Sequence, residues 1–392
     1  MPSECRRWWF RFRVSVVFCV GSIVISIAMP IARSGAQDRS HPTAQQPLVA
    51  PGPDTPTVIA FLQRIIDGRE RADRPLATRW VRGRVSLGWK GLPRRTRADD
   101  VPARPPAIQP QWRLFSEVRR NGKGRVEEEV TQDIGGHQRT VKSYRLTQGD
   151  ELYLLNGAEL AGNVALYILP LARINDPWFD LPDGFTQCVA VPNFENMAPV
   201  EMVCRVHIAR LKNKTFFGNE KGLELRCYEE EGRMVVEVVG LAINPRHALT
   251  LVKFWVDPRI GYQLVKKEVH SGEPGGALYY EEQGEVEYSQ LAPGVYFPKR
   301  GKLTITNLGT LELRDGGAGW GIRQFEVTSV ALGDFKFNER FFDPESLPLT
   351  AGTLVQDQRS NPPVTFTYQG PSLTEALASA KQNRTDLQRA PR

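Results

Sequence analysis

The chain has 392 residues, with 51 Lys and Arg against 44 Asp and Glu, and a formal net charge of +7. Five of the basic residues and one acidic residue lie in residues 1–36, so the remainder carries a net charge of only +3. Basic and acidic residues are interleaved along that remainder, whereas a nucleic-acid-binding face needs a concentrated basic patch. The distribution of charge therefore predicts that the protein does not bind nucleic acid.

The N-terminus predicts a secretory signal peptide over residues 1–36. Four arginines in "MPSECRRWWFRFR" precede the apolar run Val14–Ala32, and the small residues Ser34 and Ala36 then offer a cleavage site. The apolar run is close to the roughly 20 residues that span a bilayer, so an uncleaved signal anchor is the alternative. We expect a periplasmic or secreted protein, which is membrane-anchored if the leader is retained.

A flexible linker and then an amphipathic helix are predicted after the leader. Residues 37–55 are rich in Pro, Gln and small polar residues, which is typical of a linker. Asp54 or Thr55 can cap a helix, with Pro56 in its first turn. Its apolar residues recur with the helical period and predict one buried stripe. The stripe consists of Val58, Phe61, Leu62, Ile65 and Ile66.

From residue 78 onward, short β-rich runs alternate with turn signals. Asn121-Gly122 and Gly149-Asp150 mark two hairpin bends, and Asp257-Pro258 followed by Gly261 marks a third. About ten strands joined by short turns, without repeated βαβ units, predict an α+β fold with a mainly antiparallel sheet.

The third hairpin carries apolar side chains on both predicted faces. By simple alternation, Phe254 and Val256 face opposite to Trp255, and Leu264 faces opposite to Val269. A sheet with one solvated face would alternate cleanly between apolar and polar residues. We therefore expect both faces to be covered, one by the N-terminal helix and the other by packing or a ligand.

The rest of the domain organisation follows from two less regular regions. Residues 158–221 show no clear period and predict an insertion within a main domain over residues 56–370. Ser372 and Glu375 form a capping box, so residues 371–392 are expected to be a C-terminal helix followed by a disordered tail.

Residues that could carry chemistry are few. Cys188, Cys204 and Cys227 follow the leader, and one pair could form a disulfide whose identity stays open. No Cys/His cluster suggests a metal site, and no cofactor is expected. A dyad of His207 or His247 with a carboxylate is the remaining route to an enzyme.

Three segments resemble the superfamily of LolA/LolB-like periplasmic lipoprotein carriers and the large uncharacterised secreted bacterial proteins that share its fold. They are "WVDPRIGY" (Trp255–Tyr262), "GVYFPK" (Gly294–Lys299) and the proline-leucine pattern of Phe342–Asp357. The resemblance covers roughly residues 56–357. It implies an incomplete β-barrel, in which helices pack on the concave apolar face of a curved sheet and acyl chains can bind.

The predicted function is an exported, non-enzymatic binder or carrier of a hydrophobic ligand, a lipid or a lipoprotein acyl chain, in the bacterial cell envelope. The alternatives are a structural or protein-interaction component of the envelope without cargo, and an exported hydrolase. Membrane contact is expected only through a retained leader or during cargo exchange. The candidate cavity residues are Phe61, Ile65, Trp80, Trp89, Trp112, Tyr153, Trp178, Phe179, Trp255 and Tyr262.

Overall fold

The computed structural model describes most of the chain after the leader. The described residues are 47–50, 52–92, 107–109, 111–120, 122–134, 137–156, 164–170, 182–193, 196–213, 224–240, 249–272, 278–308, 319–333 and 338–389. The predicted signal peptide lies outside them. Among the described residues, no helix combines the length and the apolar character needed to span a bilayer.

The described residues form mainly β-strands with a few helices. In chain order these are β1 (Leu48–Ala50), α1 (Thr55–Asp73), β2 (Arg79–Gly91), β3 (Gln111–Arg120), β4 (Lys123–Ile134), β5 (His137–Gln148), β6 (Glu151–Asn156), β7 (Ala165–Pro170), α2 (Asp183–Val189), β8 (Val191–Asn193), β9 (Asn196–Ala198), α3 (Val200–Asn213), β10 (Glu224–Glu230), β11 (Arg233–Val239), β12 (Leu249–Asp257), β13 (Gln263–Gly272), β14 (Leu278–Ala292), β15 (Val295–Asn307), β16 (Gly319–Leu332), β17 (Leu354–Asp357), β18 (Val364–Thr367) and α4 (Leu373–Arg389). Short 3-10 turns occupy Arg74–Leu76, Pro258–Ile260, Glu339–Phe342 and Pro344–Ser346.

The chain divides into two compact units, where the sequence predicted one domain over residues 56–370. Unit 1 comprises the described residues within Met1–Ala72, Leu87–Pro110 and Gln187–Gln324, and unit 2 comprises the described residues within Asp73–Ser86, Gln111–Thr186 and Phe325–Arg392. The division falls inside β2, α2 and β16, and it separates Asp73 from the rest of α1. Each unit is thus assembled from segments that are distant in sequence.

Unit 1 contains an open antiparallel sheet with the strand order β1-β10-β11-β12-β13-β14-β15. Strand β1 lies within the predicted linker 37–55, and its Ala50 is fully buried. An edge strand whose amides pair with β10 is not a free tether, so ordered structure begins earlier than predicted.

Unit 2 contains the strand order β3-β4-β5-β6-β7-β17-β18, antiparallel except for the parallel pair of β7 and β17. Its apolar core joins these strands to the Glu339–Phe342 and Pro344–Ser346 turns and to α4. Arg125 holds that turn segment, because it donates to the Phe341 carbonyl at 3.0 Å and to Ser346 Oγ at 2.8 Å. The mainly antiparallel α+β fold is confirmed, whereas the incomplete barrel and the concave placement of the helices stay predictions.

Two predicted segments contain more regular structure than expected. The region 158–221 includes β7, α2, β8, β9 and α3, so much of it is regular rather than an irregular insertion. The capping box forms as predicted, since Glu375 N donates to Ser372 Oγ at 3.2 Å. Helix α4 continues to Arg389, through most of the tail that was predicted to be disordered.

Candidate ligand-binding face

Helix α1 buries its apolar stripe as predicted. The helix begins where Thr55 N and Thr55 Oγ1 both donate to the Gly52 carbonyl, which satisfies the first backbone amide of the helix. The five predicted stripe residues are at most 6% exposed and belong to the apolar core of unit 1. The helix therefore covers an apolar face of the unit 1 sheet.

That sheet face runs across four neighbouring strands. Cross-strand pairs place Met234 opposite Val256 and Val236 opposite Phe254, and all four side chains have no exposed surface. Trp255 pairs instead with Val235, so it faces away from Phe254 and Val256, as alternation predicts. The remaining core residues of these strands are Leu225, Cys227, Val238, Val252, Leu264 and Val269.

A bulge corrects the predicted facing of the return strand. Trp255 pairs with Lys266, whereas the next residue, Val256, pairs with Leu264. Because one residue of β13 is skipped, the side-chain alternation changes phase at this point. Leu264 and Val269 consequently pack on the same core rather than on opposite faces.

Helix α3 covers the same apolar core, and it was not predicted. Its buried residues recur at helical spacing from Val200 to Leu211. Cys204 and His207 stand within that stripe, and they made the pattern less apolar than that of α1. The period was nevertheless present in the sequence and could have identified the helix.

The C-terminal half of α1 is held by close contacts. A Cβ at Gly68 would overlap the Tyr262 ring, and a Cβ at Gly261 would lie 2.6 Å from Ala72 Cβ. Arg69, which is almost fully buried, donates to Gln263 and lies 3.5 Å from a Glu201 oxygen. Both glycines thus permit the helix to lie directly against the hairpin.

The layer between α1 and the sheet is filled. Val58, Leu62 and Ile65 on the helix have no exposed surface, and neither have Val236 and Phe254 on the sheet. A side chain without exposed surface touches neither bulk water nor an internal space that admits a water molecule. A ligand could reach this face only if α1 or α3 moved away from it.

The opposite face of the same strands is charged. Register places Arg226, Glu237, Lys253 and Glu268 side by side on four successive strands, so that charge alternates in sign. Lys253 Nζ lies 3.1 Å from Glu237 Oε1 and 4.5 Å from the centroid of the Trp255 ring. A row of paired charges of this kind does not suit an apolar ligand.

Trp255 and Tyr228 belong to this charged face. Trp255 is only 6% exposed because Lys253 and Lys266 lie over its ring, and its Nε1 donates to Glu230 at 2.6 Å. Burial and the hydrogen bond to Glu237 raise the pKa of Tyr228 to about 12. The side chains of Lys253 and Lys266 therefore cover the Trp255 ring on this second face.

A buried ion pair lies on the core side of β13 and β14. Lys267, with no exposed surface, lies 2.6 Å from Glu282 Oε1 and donates to the Gln187 and Ala190 carbonyls at 2.6 and 2.9 Å. A Cβ at Gly284 would lie 2.9 Å from Lys267 Cε, so the glycine leaves room for the lysine. Lys267 thereby satisfies carbonyls at the end of α2.

The predicted cavity residues of unit 1 fall into three settings. Phe61 and Ile65 are in the apolar core, and half-buried Tyr262 packs against it. Trp255 lies on the charged face. Trp89 is 46% exposed, and its ring lies across Gly321, where a Cβ would come within 2.8 Å.

The predicted residues of unit 2 are also dispersed. Tyr153 is buried in the core of that unit, and Trp80 packs against it while its Nε1 donates to Ser116 Oγ at 2.9 Å. Trp112 is 38% exposed. Trp178 and Phe179 lie outside the described residues. The structure thus brings together only Phe61, Ile65 and Tyr262 near one helix-covered face.

The candidate catalytic and redox groups that the structure describes are buried. His207 is 2% exposed, and burial together with Arg210 lowers the pKa of its imidazole to about 3. His247 lies outside the described residues. Cys188, Cys204 and Cys227 are free thiols, and burial raises the pKa of each. The described part of the chain contains no His/Cys/Asp/Glu group suited to a metal ion.

Comparisons with known proteins give structural likeness only. No family model matches the chain, and no curated protein sequence matches it. A DUF1329 family protein from Desulfovibrio piger matches 73% of this chain and 98% of its own, with 10% identity and a TM-score of 0.26. LprF from Mycobacterium bovis matches 72% of this chain and 97% of its own, with 9% identity and a TM-score of 0.20.

Proposed function

We propose that this protein is an exported, non-enzymatic binder of a hydrophobic ligand, a lipid or a lipoprotein acyl chain, in the bacterial cell envelope. The ligand binds on the apolar sheet face of unit 1, in the place that α1 occupies in the structure. The observation that carries the proposal is the contrast between the two faces of β10–β13, one apolar and helix-covered and the other charged.

The energies of the two occupants are comparable. Burial of the five stripe residues of α1 contributes roughly 8–15 kcal/mol, at about 1.5–3 kcal/mol for each side chain. An acyl chain of about 15 methylenes would contribute roughly 12 kcal/mol, at about 0.8 kcal/mol for each methylene. A long acyl chain can therefore offset the loss of helix packing, whereas a short one cannot.

Helix α1 is suited to moving as one piece. On its N-terminal side it follows three residues of β1, so the segment before it pairs with the sheet only briefly. Near its C-terminus it contacts the hairpin through Gly68 and Gly261, which makes that end the pivot. Binding by apolar area alone requires no reactive side chain at this face.

The test is native mass spectrometry with organic extraction of the protein exported and purified without detergent. We expect a co-purifying lipid or acyl mass, or uptake when lipid is added. Gly68→Ala forces α1 away from Tyr262 and should increase uptake, whereas the exposed Gln63→Ala on the same helix should not. A chain that stays free of lipid after incubation would refute carriage.

A second candidate is an envelope component that binds another protein without carrying cargo. The filled layer beneath α1 favours it, because a permanently packed face needs no ligand. The two candidates differ in one result. A carrier takes up lipid under conditions in which the chain remains folded, and an interaction component does not.

A further inference from the structure

Unit 2 carries aromatic and cationic side chains together on one sheet face. This tryptophan–arginine surface consists of Trp80, Arg82, Arg84, Trp112 and Leu114, on β2 and β3. Leu114 is 59% exposed and Trp112 is 38% exposed. Large apolar side chains with that much exposed area are unusual on a solvated sheet and often mark a binding surface.

Two contacts fix how these side chains are arranged. Trp80 Nε1 donates to Ser116 Oγ at 2.9 Å, and the Arg84 guanidinium lies 4.5 Å from the centroid of the Trp112 ring. Because these contacts join residue 80 to 116 and residue 84 to 112 on neighbouring strands, residue 82 lies near residue 114 on the same face. The Arg82 guanidinium lies over Trp80 at 4.1 Å. The two arginines are thus interleaved with the three apolar side chains.

The surface carries uncompensated positive charge. Arg84 donates to Glu326 Oε2 at 2.8 and 2.5 Å, and this exposed pair reduces its charge. Within the described part of the chain, no carboxylate lies within ion-pair distance of Arg82. An anionic partner would therefore complement the surface at Arg82.

We propose that the tryptophan–arginine surface binds the surface of a bilayer that contains anionic phospholipid. Trp112 and Leu114 enter the boundary between headgroups and acyl chains, where an indole is particularly favourable. Arg82 pairs with lipid phosphate at the same depth, with its stem lying along the Trp80 ring. The apolar side chains and the arginine lie side by side on the sheet. In a bilayer the phosphates lie directly above the start of the acyl chains, so one surface can contact both layers.

This inference is independent of the proposed ligand site. A membrane-binding surface needs no cargo, and α1 plays no part in it. Failure of lipid uptake in the mass spectrometric test would leave it intact, and failure of vesicle binding would leave the ligand site intact.

The test is co-sedimentation of the exported chain with vesicles of phosphatidylcholine alone or mixed with phosphatidylglycerol. We expect stronger binding to the mixed vesicles. The double variant Trp112→Ser/Leu114→Ser should bind at least about tenfold more weakly, because it removes exposed apolar area that enters the bilayer. Arg82→Gln should bind mixed vesicles about fivefold more weakly, at about 1 kcal/mol for each basic residue near an anionic surface.

Matched controls are available in unit 1. Trp89→Ser removes an exposed tryptophan, and Arg300→Gln removes an exposed arginine that is ion-paired with Glu287, so both should bind vesicles like the parent. Each variant is compared with the parent chain that has the same N-terminus. Only a variant that keeps the thermal midpoint of the parent is interpreted, which separates loss of binding from loss of folding. The proposal would be overturned if Arg82→Gln bound mixed vesicles as strongly as the parent. It would also be overturned if the chain bound no vesicles but bound a protein partner through Trp112.

Discussion

Replacing Lys267 by methionine should destabilise unit 1 strongly. The ammonium group of Lys267 is buried, ion-paired with Glu282, and bonded to the Gln187 and Ala190 carbonyls at the end of α2. Methionine fills a similar volume but donates no hydrogen bond. The variant therefore leaves a buried carboxylate and two backbone acceptors without their donor.

The expected loss of stability follows from Glu282, which stays buried when Lys267 is replaced. Removing one member of a buried ion pair typically costs about 3–5 kcal/mol, because the other charge stays desolvated. Tyr280 donates to Glu282 Oε2 at 2.7 Å and compensates only part of that charge. We therefore expect Lys267→Met to lower the free energy of unfolding of unit 1 by about 3–5 kcal/mol.

Urea unfolding followed by circular dichroism gives the stability, and thiol labelling locates the change. Burial raises the pKa of Cys188 on α2 to about 12, so its thiol should be unreactive in the parent. Lys267→Met should make Cys188 reactive while Cys204 stays protected within the core of unit 1. The double variant Lys267→Met/Glu282→Gln should recover at least half of the lost stability, since it also removes the buried charge.

A loss below about 1 kcal/mol for Lys267→Met would refute this reasoning, because exposed ion pairs contribute that little. A double variant that is less stable than the single one would also contradict it. In that case Glu282 would stabilise the fold independently of Lys267.

Three further predictions concern charge, histidine titration and backbone conformation. In unit 2, Arg79→Leu should cost about 3–5 kcal/mol in urea unfolding because its carboxylate partner is fully buried, whereas Arg84→Leu, from an exposed pair, should cost less than about 1 kcal/mol. The folded-state pKa of His207 is about 3, below its ordinary value near 6.5, so the unfolded chain binds the additional proton. Stability should fall as pH falls from 6.5 towards 3, and unfolding at pH 7 and pH 5 should show a smaller fall in His207→Phe. Gly261→Ala should lower the thermal midpoint more than Gly122→Ala, since both glycines have positive φ but only residue 261 faces a neighbouring Cβ.

Local chemistry made the third hairpin predictable from sequence. Asp257 Oδ1 accepts a hydrogen bond from Arg259 N at 2.9 Å, and Gly261 ends the turn with φ of 77°. Both features follow from residue type alone, because an aspartate can cap nearby amides and glycine tolerates the left-handed conformation. The stripe of α1 was predictable for a similar reason, since its apolar residues recur without interruption.

Non-local pairing explains what the sequence did not reveal. Nothing near Lys267 marks it as buried, and its solvation depends on Gly284 and on carbonyls far away in the chain. Strand β1 forms from three residues in a segment of linker-like composition, because the edge of β10 accepts them. The bulge between Trp255 and Val256 reverses the expected facing of Leu264, and simple alternation cannot anticipate it.

The candidate ligand face was only partly predictable. The apolar content of Phe254 and Val256 indicated a covered face, and α1 was expected to cover it. The charged nature of the opposite face depends on cross-strand register, which pairs Glu237 with Lys253 and cannot be read from either strand alone. Most of the predicted aromatic residues lie away from the candidate ligand face, because their positions also depend on strand pairing.

Hydrogen exchange of the chain with and without a bound long-chain fatty acid tests the ligand site most directly. If the ligand replaces α1 on the sheet, amides of Thr55–Asp73 should lose protection, because a helix without its tertiary packing is only marginally stable in water, while those of β11 and β12 keep it. The fatty acid should be found bound by mass in the same sample. A bound ligand with unchanged protection of α1 would contradict the proposed site, because the filled layer leaves no other space beneath that helix.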